Sequence, residues 1–510
     1  MPDIDRSSPV PIYHQLKMLI RERIRSGLWR PGDRISTERE ICETYDISRS
    51  PVRQALNELA HEGVLVRRPG LGTFVVEHHS VDVPSDTSVR MMCSDPRWVV
   101  VLERVSSIWN ERHPNRSIAF QTNVVPHHRF YDLLSAMVGS GTAPDVAMVD
   151  SVWVAGLADA GFLYALEDVD APANHANFVE NLYPVFIQAN SLDGHLYGLP
   201  VKADASLLWY RKDWFAQEGL AAPRNWDELL SVSTHFLRSQ VRERYGLAHP
   251  LAFPAGTAGG EATVYCLLPF IWSAGGAVVD VRARCVTLDT PKTLRALRFL
   301  RGLVHRHGVS PPDVVHYGHD TSCRMLAEGR VAMALGGSYE AEYIRTVSQW
   351  SDADFVQRIG TAMPPPPPGR EPVSTVGGTS YVVLRQCGFP TLAVEVLKAA
   401  TDPHVIGDLY RSMRLNLPSP AFRAMLGPGV DTLPTEVSGM ITEGRARPSI
   451  PQYIKVSRQL EAMFETAVSG GEPVEDIVDR TTRFISVITE FPCAPAQLSR
   501  SAFPKRAASL

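Results

Sequence analysis

Long apolar segments are absent from this chain of 510 residues. No run reaches the roughly 18 apolar residues that a membrane-spanning helix requires. The first six residues lack the basic start and the apolar segment of a secretory signal. These two absences favour a cytoplasmic protein that makes no contact with a membrane.

Metal, redox and catalytic motifs are also absent. The seven cysteines are scattered without a Cys-x-x-Cys spacing, which is typical of reduced thiols in the cytoplasm. Histidines at 127–128, 305–307 and 316–319 lack an accompanying set of ligands, so we expect them to be solvated and to bind no metal. No nucleophile elbow, phosphate loop or zinc-protease motif occurs. We therefore expect no cofactor and no enzyme activity.

A strong charge of either sign is the last absence. The net charge is −4, and residues 1–80 carry nearly equal numbers of basic and acidic side chains. Any nucleic-acid surface must therefore be a local cluster of arginines. The hydrophobic fraction of 44% is enough for several cores, and the length indicates more than one domain.

Three helices and a hairpin are predicted in the first eighty residues. Leu16, Ile20 and Ile24 recur at helical spacing within residues 12–26. The string TERE at 37–40 fits a capping box that starts a second helix. A third helix begins near residues 48–51, with positions 52, 55, 56 and 59 on its buried face. Strands at 64–68 and 73–76 flank PGLG at 69–72, which indicates a wing.

This order, together with the strings TERE, SRSPVRQAL at 48–56 and PGLGTFV at 69–75, resembles the GntR family of winged helix-turn-helix regulators. The resemblance implies a DNA-binding domain that reads a duplex with the start of its third helix and with its wing. Arginine side chains suit guanine edges and phosphate oxygens. The residues expected to contact DNA are Thr37, Arg39, Ser48, Arg49, Ser50, Arg53 and Gly72.

Strands and helices alternate from about residue 91, which predicts a parallel sheet with crossover helices. The strings DGHLYGLPVKAD at 193–204, NWDEL at 225–229 and EGRVAM at 328–333 resemble the extracellular solute-binding proteins of sugar transporters. The implied fold is two α/β lobes of the type 2 periplasmic-binding-protein class. The predicted domains are a winged helix at 1–78, a linker at 79–90, a two-lobed sensor at 91–490 and a disordered tail at 491–510.

The resemblance places a ligand in the cleft between the lobes, and a sugar there needs carboxylates for its hydroxyls and aromatic rings for its apolar faces. Positions near strand ends or crossings supply such candidates, and the two adjacent glycines would admit a ligand close to the backbone. Tryptophan at either candidate position is equally compatible with a core role, and the aspartate at 204 with a helix cap or a hinge ion pair. The candidates are Asp150, Trp153, Asp204, Trp272, Ser338, Tyr339, Gly377 and Gly378.

We therefore expect a homodimeric repressor that binds a palindromic double-stranded DNA operator and responds to a carbohydrate effector. One alternative is a GntR regulator with an aminotransferase-like domain and pyridoxal phosphate, but the order of active-site residues of that family is missing. The other alternative is a transport-associated sugar-binding protein, against which the attached winged helix argues.

Overall fold

The N-terminal domain consists of three helices and a hairpin. The computed structural model describes residues 4, 6, 11–25, 28–30, 32–61, 64–68, 72–75, 86–426 and 433–494. The elements of this domain are α1 (Ile12–Arg25), α2 (Glu38–Tyr45), α3 (Arg49–His61), β1 (Leu65–Arg68) and β2 (Gly72–Val75).

Local sequence signals account for this domain. The predicted capping box at the start of α2 is present, because Thr37 Oγ1 accepts a hydrogen bond from Glu40 N and Glu40 Oε2 accepts one from Thr37 N. Leu16 and Ile20 of α1 pack against Val52 of α3, all at most 2% exposed. The hairpin gains a third segment, since Ile35 N donates to the carbonyl oxygen of Thr73.

The rest of the chain alternates helices with strands. Its first half contains β3 (Asp86–Cys93), α4 (Arg97–Arg112), β4 (Ser117–Val124), α5 (His127–Ser140), β5 (Val146–Asp150), α6 (Ser151–Asp159), α7 (Leu166–Val169), α8 (Pro172–Glu180), α9 (Pro184–Ala189), β6 (Ser191–Leu192), β7 (His195–Leu196), β8 (Gly198–Arg211), α10 (Lys212–Gln217), α11 (Trp226–Leu237), α12 (Ser239–Tyr245) and β9 (His249–Ala252).

The second half contains α13 (Glu261–Ser273), β10 (Val279–Asp280), β11 (Cys285–Val286), α14 (Pro291–His305), α15 (Thr321–Ala327), β12 (Val331–Gly337), α16 (Ala341–Ser348), α17 (Asp352–Arg358), β13 (Ile359–Ala362), β14 (Thr375–Val383), α18 (Pro390–Ala399), α19 (Pro403–Ser412), α20 (Pro420–Met425), α21 (Leu433–Glu443), β15 (Arg445–Ala446), α22 (Tyr453–Ser469) and α23 (Val474–Thr489). Short 3-10 turns lie at Thr257–Gly259, Pro312–His316 and Ser338–Glu340. Within the described residues, each helix is too short or too polar to cross a lipid bilayer.

One sheet joins two lobes, with the strand order β4-β3-β5-β14-β8-β12-β9. Lobe 1 is built on β3, β4 and β5, which are parallel as predicted, and lobe 2 is built on β9, β12 and β13. The first half of β8 pairs with β14, and its second half pairs with β12 and β13. Strand β8 therefore crosses between the lobes.

Each lobe has its own apolar core. In lobe 1, Trp98 packs edge-on against Tyr381 and Tyr410, and all three are fully buried. In lobe 2, helices α13, α14, α22 and α23 enclose a cluster that includes Phe270 and Phe464. Separate cores on a shared pair of crossing strands fit a hinge between the lobes.

Two predicted boundaries need correction. The linker was expected to reach residue 90, but β3 begins at Asp86, because Val89 is buried in the core of lobe 1. The tail was expected to begin at 491, but Phe491 is 6% exposed and Val286 N donates to the carbonyl oxygen of Pro492. The remainder of both predicted segments, residues 79–85 and 495–510, lies outside the described residues.

The close pairing of β14 with β8 depends on one glycine. Gly378 has a φ of +145°, and a Cβ there would overlap the carbonyl oxygen of Lys202. We expect Gly378→Ala to lower the free energy of unfolding by about 2–4 kcal/mol, because the strands must separate or the backbone must change conformation. Urea unfolding followed by tryptophan fluorescence measures this loss.

Gly388→Ala is the matched control, because Gly388 has open space around its Cα and lies just after the same strand. Equal unfolding midpoints for the two variants would contradict the close approach of β14 to β8.

Candidate functional site

The start of α3 presents a polar, cationic surface. Ser48, Arg49 and Ser50 are all exposed, and α3 begins at Arg49. The unpaired backbone N–H groups of a first helical turn favour anions, and short hydroxyls beside an arginine extend that preference. As DNA contacts the three residues remain predictions.

Glu38 organises two arginines near this surface. The Nε of Arg53 donates to Glu38 Oε2 at 2.9 Å, and Arg67 Nη2 lies 3.5 Å from Glu38 Oε1. The side chain of Arg53 is still 61% exposed. Glu38 thus holds one arginine of α3 and one of the hairpin on a common face. Sequence analysis missed Glu38 and Arg67.

The wing glycine has a cationic neighbour. Gly72 has a φ of +123°, and a Cβ there would lie 2.7 Å from Arg34 Nε. Arg34 is exposed and pairs with the second strand of the hairpin, so it adds a cation that sequence analysis missed. Arg39 is 77% exposed, whereas the Thr37 oxygen is engaged in the capping box.

A cavity of about 540 Å³ lies between the two lobes. Its walls come from the ends of β3 and β5, from the crossing strands, and from the start of α13. The lining residues are Ser94, Asp95, Arg97, Trp98, His127, Met148, Asp150, Lys202, Asp204, Thr257, Ala258, Gly259, Gly260, Glu261, Ala262, Tyr265, His319, Tyr339, Gly378, Thr379 and Arg447.

Arg447 joins the two sides of this cavity. Its Nη1 donates to Glu261 Oε1 of α13 at 2.6 Å, and its Nη2 lies 3.5 Å from Asp150 Oδ1 at the end of β5. The side chain is 3% exposed. Burial by itself lowers the pKa of Arg447, but the carboxylates of Glu261 and Asp150 outweigh it and raise that pKa. Arg447 therefore stays charged.

A second ion pair lies on β8, where the chain crosses between lobes. Lys202 Nζ is 3.0 Å from Asp204 Oδ2, and both side chains are nearly buried. Ser338 Oγ donates to Asp204 Oδ1 at 3.1 Å and accepts a hydrogen bond from Ala205 N. Lys202 Nζ also lies 5.8 Å from the centroid of the Tyr339 ring. Asp204 is thereby fixed in orientation.

Three buried polar atoms at the cavity lack a hydrogen-bond partner among the described residues. They are Tyr265 Oη, Thr379 Oγ1 and Arg447 Nε. Burial raises the pKa of Tyr265, so its hydroxyl keeps its proton and is available as a donor. A buried donor without a partner is costly, which favours a ligand that supplies an acceptor.

Aromatic rings form two stacked pairs beside the cavity. His319 stacks on Tyr339 with ring centroids 5.4 Å apart, and His127 stacks on Trp153 at 5.0 Å. Burial, and then the nearby imidazole of His127, lower the pKa of His319, which favours the neutral ring. His127 and His319 are both exposed, as expected, and both also border the cavity.

Two family models match the chain. The model described as bacterial extracellular solute-binding protein covers residues 96–404, and the model described as bacterial regulatory proteins, gntR family, covers residues 12–75. The chain belongs to the bacterial extracellular solute-binding protein family. This solute-binding protein carries a gntR-family domain at its N-terminal end, so both predicted resemblances are confirmed.

Individual relatives agree with this division. A binding protein of Brucella abortus is 25% identical over 287 residues, which are 56% of this chain and 64% of the relative. The histidine utilization repressor of Klebsiella aerogenes is 50% identical over 72 residues, which are 14% of this chain and 30% of the relative. The chain thus spans less than two thirds of these relatives.

Solved structures show the fold of the larger part. A solute-binding protein of Thermotoga lettingae bound with alpha-D-tagatose has a TM-score of 0.67 and 22% identity, and covers 79% of this chain and 100% of its own. The predicted winged helix followed by a two-lobed α/β fold is confirmed. The first domain implies DNA binding and the second implies a small-molecule ligand.

The predicted ligand residues divide into two groups. Asp150, Asp204, Tyr339 and Gly378 border the cavity, and Ser338 bonds directly to Asp204. As solute-binding residues they remain predictions.

Trp272, Trp153 and Gly377 do not border it. Trp272 is 6% exposed in α13, and the Arg445 guanidinium lies 5.0 Å from its ring centroid, so the expectation of a cleft residue is wrong. Trp153 stacks on His127, which borders the cavity, and does not border the cavity itself. Gly377 makes room for Arg447, whose Nη2 would lie 2.6 Å from a Cβ there.

Arg49 and Arg53 generate a prediction for DNA. Each substitution to Ala should weaken binding to a specific duplex by about 1–3 kcal/mol if the residue reads a base. Fluorescence anisotropy with a duplex selected from a random pool measures this change. Arg104→Ala removes an exposed arginine of lobe 1 and is the matched control. Wild-type affinity in both Arg49→Ala and Arg53→Ala would rule out the start of α3 as the DNA-binding surface.

Proposed function

We propose that the protein is a transcription regulator whose operator affinity changes when a neutral, polyhydroxylated solute, a sugar or an oligosaccharide, binds between the lobes. The observation that carries this proposal is the interlobe cavity, whose buried donors lack partners among the described residues, in one chain with a gntR-family domain. The domain composition supports a ligand-responsive regulator in general.

The charges of the cavity favour a neutral ligand. Asp95 pairs with Arg97 at 2.6 Å and Asp204 pairs with Lys202 at 3.0 Å, while Arg447 serves both remaining carboxylates. One of these, Asp150, also accepts a hydrogen bond from Val152 N at the start of α6, where the helix dipole offsets negative charge. A solute therefore need not supply a compensating charge.

The remaining features favour hydroxyl groups over a purely apolar solute. Charged side chains around the cavity are fixed by their partners and can bond hydroxyls without much reorganisation. The Tyr339 ring offers a face for an apolar side of a sugar. A volume of about 540 Å³ lies within the usual range for small-molecule sites, which is roughly 300–1,000 Å³.

The proposed response follows from the hinge. A solute that contacts both lobes favours the closed arrangement, and it can shift operator affinity only by its preference for that arrangement. We further propose a cytoplasmic homodimer on a palindromic operator, with repression relieved by the solute. The proposed units are a winged helix at 1–78, a linker that ends before Asp86, and a sensor that continues to residue 494.

Tyr265 provides a test of the solute site. Tyr265→Phe removes only the unpartnered hydroxyl, so solute binding should weaken about 3–10-fold, as expected for one lost hydrogen bond. A thermal-shift screen against neutral mono- and oligosaccharides identifies the solute, and calorimetry then compares the variants.

Tyr381→Phe is the matched control. Its hydroxyl is equally buried and unpartnered within the described residues, but Tyr381 lies in the core of lobe 1 and does not border the cavity. Equal solute affinity in the wild type and in Tyr265→Phe would contradict the assignment of this cavity.

Operator binding provides the test of regulation. Saturating solute should change operator affinity by about 5–150-fold, which corresponds to a coupling of about 1–3 kcal/mol. The same selected duplex is titrated with and without solute at one salt concentration. A solute that stabilises the sensor but leaves operator affinity unchanged would contradict the proposal and favour a transport-associated receptor.

A further inference from the structure

Helix α1 of the winged helix lies against lobe 1. The hydroxyl of Tyr13 occupies the space beside Gly141, where a Cβ would overlap it, and Tyr13 Cζ would lie 3.4 Å from that Cβ. One and a half turns further along α1, Met18 Sδ accepts a weak hydrogen bond from Tyr164 Oη at 3.9 Å. The two contacts involve different segments of lobe 1.

A third residue of α1, Arg21, lies within electrostatic reach of lobe 1. Burial raises the pKa of the Cys387 thiol to about 12, and the Arg21 guanidinium acts on that pKa in the opposite direction. Arg21 therefore lies near the turn that follows β14. With about 100° of rotation per residue, positions 13, 18 and 21 fall within about 140° of one side of α1.

The lobe 1 side of the contact is a rigid surface. We call it the docking platform and define it as Gly141, Tyr164 and residues 385–387. Gln386 ties the end of α5 to this turn, since its Nε2 donates to the Val138 carbonyl at 2.8 Å and its Oε1 accepts from Ala143 N at 3.1 Å.

Arg385 fixes the remaining segment of the platform. Its Nε donates to the carbonyl oxygen of Leu163 at 2.9 Å, and its guanidinium carbon lies 5.6 Å from the ring centroid of Tyr164. Three loops are thereby joined by two adjacent side chains. A surface cross-linked in this way can hold a helix in a defined orientation, whereas independent loops would not.

The platform and the cavity lie at opposite ends of the same strand. Strand β5 begins at Val146, three residues after Ala143, and ends at Asp150, which borders the cavity. Five residues of strand separate the two by about 17 Å. Closure of the cleft moves lobe 2 about the hinge, and the contact between α1 and lobe 1 is not part of that movement.

We propose that α1 and the docking platform join the winged helix and lobe 1 into one rigid body, and that this contact carries the state of the cleft to the DNA-binding surface. The second half of this inference rests on the proposed function. Solute-driven closure then moves lobe 2 relative to this rigid body, so that in the proposed homodimer each winged helix keeps its place on its own lobe 1 and is not merely tethered to it.

Two glycines with nearly the same backbone conformation test the contact. Gly141 has a φ of +73° and Gly161 a φ of +72°, and only Gly161 has open space around it. Asn tolerates this conformation, so Gly141→Asn and Gly161→Asn carry similar backbone strain, but only the former displaces Tyr13. Hydrogen exchange of residues 11–25 in the full chain, without DNA or solute, should be roughly fivefold faster in Gly141→Asn and unchanged in Gly161→Asn.

A second pair of variants tests the contact from the side of the winged helix. Met18→Lys places a cation near Arg385 and should accelerate exchange in α1 to a similar extent, whereas Met18→Leu conserves volume and should not. Wild-type exchange in both Gly141→Asn and Met18→Lys would overturn the docked arrangement.

The consequence for regulation is measured separately. Gly141→Asn and Met18→Lys should still bind the solute and the operator, but the effect of saturating solute on operator affinity should fall from about 5–150-fold towards no effect. Undocked variants that keep the wild-type response would overturn the coupling role. If the wild type shows no response to any solute, the proposed function fails, while the exchange measurements still decide whether α1 is docked.

Discussion

The charge of Arg447, buried between the lobes, is the constraint on which the sensor depends. A guanidinium removed from water is stable only with carboxylates beside it, and the two that serve it come from different lobes, Asp150 from lobe 1 and Glu261 from lobe 2. Glu261 is itself held by the hydroxyls of Tyr453 and Ser457 of α22. The distance between the lobes is therefore limited by the need to keep Arg447 paired with both carboxylates, as well as by the crossing strands.

This network also supports the proposed response of the cavity to a neutral solute. Each charged group of these pairs has a partner of opposite charge, and each pair still presents fixed donors and acceptors to the cavity. The Tyr265 hydroxyl and the Thr379 hydroxyl, which lack a partner among the described residues, add further capacity for hydrogen bonds. A solute that satisfies them gains hydrogen bonds without separating an ion pair. Binding energy can therefore favour closure instead of rearranging charges.

The sequence predicted the winged helix well because its determinants are local. The capping box at Thr37, the apolar spacing of α1 and α3 and the glycine of the wing are each read from a few neighbouring residues. The parallel strands of lobe 1 were predicted for the same reason. The cavity was predicted only in part, because it collects residues such as Asp95, Glu261 and Arg447 from distant segments. No periodicity marks such residues, and only the crossing of β8 and β14 brings them together.

The wrong prediction for Trp272 has a related cause. A position near a predicted strand end or crossing suggested a cleft residue, but α13 continues to Ser273 and turns that ring into the core of lobe 2. The space beside the glycines at 377 and 378 is occupied by the protein's own Arg447 and Lys202, although Gly378 also borders the cavity. At both glycines a feature that permits close approach was recognised, and the approaching group is a part of the chain. The same reasoning applies at Gly141, where the approaching group is Tyr13. Gly141 makes room for the winged helix at lobe 1, and Gly378 makes room for the neighbouring strand at the hinge.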